Sequence, residues 1–86
     1  MNIDTKLCIQ VGVSAAIVHA VIKDQCDKHG VPFEGHRFAK LSVKDLSQMI
    51  PFLNTRTITR ALSKLEQNNL IEGKTFVGTT KWRRTL

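Results

Sequence analysis

Arg56, Arg60, Ser63 and Gln67, with Thr59 and Lys64 flanking them, recur at helical intervals within the stretch 55–69. At about 100° per residue they gather on one side of a helix, while Ile58, Ala61, Leu62 and Leu65 fall in a narrow sector on the other. The outward set, which Thr55 joins at its start, is rich in hydrogen-bond donors. Arg pairs bidentately with guanine O6 and N7, Gln pairs with adenine, and Ser or Thr bonds a base edge or a phosphate oxygen. Any solvated helix also carries Lys, Arg and Gln opposite its core stripe, so the pattern needs support from the rest of the chain.

Charge supplies part of that support. The 86 residues carry a formal net charge of +6. Residues 1–43 hold five Lys or Arg against four acids, and residues 44–86 hold eight against three. The positive field therefore belongs to the C-terminal half, where Lys74, Lys81, Arg83 and Arg84 follow the helix. A polyanionic partner is the expectation. No acid lies near the N-terminal half of the donor-rich surface, and Glu66 and Glu72 stand at its far end.

Composition removes several function classes. Hydrophobic content of 42% is too high for a disordered chain, and 86 residues suit one small domain without a deep enzyme cleft. The longest apolar run falls well short of the roughly 18 residues that cross a bilayer, so no membrane partner is expected. The start "MNIDTKLC" lacks a basic segment followed by an apolar core, which leaves a cytoplasmic location as the expectation. Cys8 and Cys26 lie in apolar stretches and read as reduced packing residues. Cys26 and His29 are spaced as half a metal site, but no second close ligand pair accompanies them, so neither metal nor cofactor is expected. No Ser/His/Asp, Cys/His, carboxylate-pair or phosphate-loop arrangement suggests an enzyme.

The remaining elements follow from local signals. Asp4 can cap a short helix "TKLCIQV" ending at Gly12, and Ser14 can cap "AAIVHAVIKDQCDKHG", an apolar scaffold helix ending at Gly30. "VPFEGH" reads as loop, and "RFAKLS" alternates like a short strand. Ser42 and Asp45 open the helix "VKDLSQMI", which Pro51 ends. Asn54 or Thr55 caps the helix running to about Asn69. Beyond it, "LIEGKT" and "TKWRRTL" flank "FVG" as a hairpin, with Phe76 and Trp82 as packing anchors. Arg83 and Arg84 are adjacent, so in a regular strand only one can face outward.

The result is a mainly helical chain with a small β-hairpin: one domain over 1–86, a helix-turn-helix at about 43–69 and a wing at about 70–86. This is the layout of a winged helix-turn-helix. "LCIQVGVSAAIVHAVI" and "LSVKDLSQMIPFLNTRTITRALSKLEQNNLI" together resemble the N-terminal domain of phage and plasmid replication-initiator, or replisome-organizer, proteins. The resemblance implies a winged helix that binds double-stranded DNA at an origin or operator, with Thr55, Arg56, Thr59, Arg60 and Ser63 as reading positions. The expected function is sequence-specific DNA binding, as a transcriptional regulator or replication accessory of a phage or mobile element. Lys64, Gln67, Lys74, Lys81, Arg83 and Arg84 complete the expected contact set, and a homodimer would extend the site. The rival expectation is a winged-helix interaction module, such as a phage-encoded inhibitor that binds a host protein complex, with a host or phage protein as partner.

Overall fold

The computed structural model describes residues 5–75 and 81–86. The proposed Asp4 cap, the 76–78 turn with Phe76, and the side chain of Cys8 lie outside the described residues. Four helices and a four-stranded antiparallel sheet follow one another as α1 (Thr5–Val11), α2 (Val13–His29), β1 (Val31–Phe33), β2 (His36–Lys40), α3 (Val43–Met49), α4 (Thr55–Gln67), β3 (Ile71–Lys74) and β4 (Trp82–Thr85). The strand order is β1-β2-β4-β3.

Local chemistry sets the helix ends. Gly12, at φ 91, turns the chain between α1 and α2 with no intervening linker, so α2 begins at Val13 and Gly12, rather than Ser14, occupies its cap position. No side chain caps that end. At α3, Ser42 Oγ accepts from the Asp45 N–H at 3.1 Å while the Ser42 N–H donates to Asp45 Oδ2 at 3.0 Å, a reciprocal capping box. Burial alone would raise the Asp45 pKa, but the hydrogen bond from the Ser42 backbone N–H dominates and lowers it. Asn54 Oδ1 accepts from the Thr57 N–H at 2.8 Å and opens α4. That helix closes at Gln67, two residues before the expected end. Asn69 adopts φ 57, and the Leu70 N–H reaches the Leu65 carbonyl while the Asn69 N–H reaches that of Glu66, a left-handed cap that tucks Leu70 against the core.

The segment "VPFEGH" corrects the expectation of a loop. Val31, Pro32 and Phe33 pair with Phe38, Arg37 and His36 across the two-residue turn Glu34–Gly35, whose positive φ values of 52 and 82 suit the twist of a tight hairpin. Pro32 is tolerated because β1 is an edge strand, where a missing N–H breaks no ladder.

The core lies between the helices and one face of the sheet. α2 packs against α1, α4, β2 and β4, and buries Ala15, Ala16, Val18, Val21, Ile22 and Cys26 against Ile58, Ala61, Leu62 and Leu65 of α4. Phe38 is buried on the other face of the sheet. Its ring meets Phe33 edge-on at 6.3 Å between centroids and lies 5.7 Å from the Arg84 guanidinium, and Phe33 in turn meets Trp82 at 5.4 Å. Trp82 is thus a half-buried packing residue of the outer face.

Two outcomes test this arrangement. Leu62→Ala is expected to cost on the order of 2–5 kcal/mol in urea unfolding, as core truncations do, while Thr59→Ala on the exposed side costs about 0.5 kcal/mol or less. The Asp45 cap predicts an acid dependence. Its folded pKa lies below the unfolded value of about 3.9, so its contribution is complete above that value and is lost as pH falls through the folded one. Urea midpoints measured from about pH 5 downward should fall less steeply in Ser42→Ala than in the parent protein.

Candidate nucleic-acid interface

With Ile58, Ala61, Leu62 and Leu65 committed to the core, α4 must present its opposite side to solvent. Thr55, Arg56, Thr59, Arg60, Ser63, Lys64 and Gln67 are all exposed. Arg56, Arg60 and Lys64 have no carboxylate within ion-pair distance among the described residues, and residues 46–65 contain no acid. Their donors are therefore free for a ligand. Thr59 is a partial exception, because its hydroxyl donates to the Thr55 carbonyl at 2.8 Å and keeps only lone pairs and a methyl for another contact.

A cleft of about 260 Å³ opens between α4 and the junction of α1 with α2. Thr57, Arg60, Ala61 and Lys64 form one wall, and residues 11–15 form the other. The first backbone hydrogen bond of α2 runs from the Ala16 N–H to the Gly12 carbonyl at 3.0 Å. Residues 13–15, the first turn and positive end of this 17-residue helix, line the same cleft as Arg60 and Lys64. This wall is not evident from the sequence, where Ser14 is a candidate cap; in the structure Gly12 holds the cap position and no side chain caps the helix start.

The cations of the sheet are disposed differently. Arg83, expected to contact phosphate, is 6% exposed and points into the protein. Its Nε donates to the Leu41 carbonyl at 2.8 Å and its Nη1 to Glu66 Oε1 at 3.2 Å. Burial disfavours its charged form, and Glu66 opposes that effect. Gly73 faces this pair, and a Cβ there would stand 3.4 Å from Arg83 Nη1 and 3.6 Å from Glu66 Oε1, ordinary contact distances. Arg83 is accordingly removed from the contact set. Arg84 takes the outward position, half-buried over Phe38 and paired with Glu72 at 3.4 Å. Lys74 is exposed but bridges Glu34 at 3.1 Å and Glu72 at 3.3 Å, and the hydrogen bond to Glu34 leads the causes that raise its pKa. Lys81, half-exposed, has no ion-pair partner among the described residues. Arg56, Arg60 and Lys64 thus place three accessible, unpaired cations on one side of α4, while Lys23, Arg37, Lys40, Lys44 and Lys81 lie elsewhere without an ion pair among the described residues.

Cys26 is a buried thiol whose Sγ–H donates to the Arg83 carbonyl at 3.3 Å, and burial raises its pKa. No group of three or more His, Cys, Asp or Glu gathers around a common point among the described residues. No helix among them is long and apolar enough to cross a membrane.

The contrast between the two sets of arginines is measurable. Arg83→Ala is expected to lose about 2–4 kcal/mol of stability, because it removes a buried side chain and strands the Leu41 carbonyl. Arg56→Ala should change stability by about 0.5 kcal/mol or less. Chemical denaturation of both variants checks this. Comparisons with known protein families, with curated proteins and with solved structures find no match for the chain.

Proposed function

We propose that the chain is a winged helix-turn-helix protein that binds double-stranded DNA in a sequence-dependent manner, as a regulator or replication accessory of phage or mobile-element type in a cytoplasm. The observation that carries this reading is the outward side of α4: seven exposed hydrogen-bonding residues, three of them cations with no acidic neighbour, on a helix locked by its buried side. Thirteen residues make a rod of about 20 Å, long enough to lie across a major groove about 12 Å wide.

In this mechanism α3 and the Asn54 cap hold the N-terminal end of α4 toward the base edges. Arg56 and Arg60, one turn apart, address guanine O6 and N7, while Thr55, Ser63 and Gln67 supply further base or phosphate bonds. Lys64 and the start of α2 suit a backbone phosphate entering the cleft they share, because helix-end N–H groups and an ammonium both favour an anion. The hairpin β3–β4 is the wing, and Lys81 is its free cation. Lys74 and Arg84 would first have to exchange a carboxylate for a phosphate. The protein acts by binding, without catalysis or cofactor.

A second reading, a module that docks on a protein or on a second copy of itself, draws on Ile9 and Val13. These are 88% and 62% exposed around the junction of the first two helices.

Titration of the purified protein against the DNA upstream of its own gene and against a scrambled duplex, at two salt concentrations, decides between them. On the DNA reading, Arg60→Ala weakens the specific duplex by roughly 1–3 kcal/mol and narrows its preference over the scrambled one. Lys81→Ala weakens both duplexes alike and lowers the salt slope by about one. If neither variant alters DNA binding and both abolish capture of a protein partner, the interaction-module reading replaces it.

A further inference from the structure

The turn that joins α3 to α4 displays an aromatic ring that the fold does not use. Ile50 is 1% exposed and Leu53 packs against the core, so the residues at either end of the turn are anchored inward. The Leu53 N–H donates to the Ile50 carbonyl at 3.1 Å, which closes a tight turn with Pro51 and Phe52 at its tip. Phe52 is 72% exposed. Tip positions of a Pro-led turn favour Gly, Asn, Asp or Ser, so neither turn geometry nor core packing explains a phenylalanine there. The ring stands two residues before the Asn54 cap, at the end of α4 that carries Thr55 and Arg56, within a stretch free of acids from 46 to 65.

We infer that Phe52 is a specificity-determining residue that reads the C5-methyl group of thymine in the major groove. This rests on the proposed docking of α4. The thymine methyl is the apolar group on the major-groove edge, and a Phe side chain is a known kind of partner for it. The cations beside the ring engage phosphates or guanine and hold the duplex against it. Burial of the ring edge on the methyl supplies discrimination that hydrogen bonds from α4 cannot, since they do not sense that group.

The test begins with a duplex selected by the parent protein from a random pool, then resynthesised with each thymine replaced in turn by deoxyuridine, which removes only the methyl. At one position the parent protein should bind about fourfold more weakly, the worth of one buried methyl. Phe52→Ala should melt at the parental temperature and bind the two duplexes equally. A parent protein that selects a site but tolerates deoxyuridine at every position overturns the inference and leaves the DNA reading standing. Selection of no duplex removes both. A lower melting temperature for Phe52→Ala assigns the ring to the fold instead. Unchanged DNA binding by Phe52→Ala, with loss of a parental dimer in sedimentation, assigns it to a contact between copies.

Discussion

A guanidinium taken out of water costs several kcal/mol unless its donors are met, and Arg83 meets this cost with partners from two parts of the chain while a third holds its backbone. Leu41 supplies a carbonyl from the segment entering α3, Glu66 supplies a carboxylate from the last turns of α4, and Cys26 of α2 bonds the Arg83 backbone from below. Ala39 and Gly73 sit opposite Arg83 on the neighbouring strands. The sheet is thereby tied to α4 at one end while the apolar stripe of α4 ties it to α2. Rotation of the helix about its axis would break both sets of contacts, so the side it shows to solvent is determined. The Glu66 carboxylate is half-exposed, which lets water share the charge without undoing the hydrogen bond to the Leu41 carbonyl.

The same arrangement redistributes charge. A chain of +6 appears uniformly basic over its second half, yet Arg83, Arg84 and Lys74 are each paired with Glu66, Glu72 or Glu34. The acids of the C-terminal half other than Asp45 are thus placed against the cations of the sheet, and Asp45 is held in the cap of α3. Arg56, Arg60 and Lys64 remain without such partners among the described residues, as do Lys44 and Lys81, so α4 contributes three of the unpaired cations of this half from one exposed side. The wing therefore carries less of the proposed binding than its composition suggests.

Features legible in the sequence were those written in short-range chemistry. Ser42 with Asp45, the Pro51 stop and the four apolar positions of α4 each act within a turn or two of helix, so residue type and spacing were sufficient, while for the cap of α4 they leave Asn54 or Thr55 and the structure places it on Asn54. The side of α4 left to solvent follows from that stripe, and with it the exposure of Thr55, Arg56, Thr59, Arg60, Ser63, Lys64 and Gln67. Adjacency alone also required Arg83 and Arg84 to face opposite ways.

Tertiary structure decided which way, because the inward side of β4 is set by pairing with Ala39, 44 positions earlier, and with Gly73. It likewise brought Glu34 to Lys74 across 40 positions and the start of α2 to Arg60, and it allowed Pro32 into a strand by placing that strand at an edge. None of these is a property of a local window. Each depends on strand order and helix packing, which place residues side by side according to burial and not to their separation along the chain.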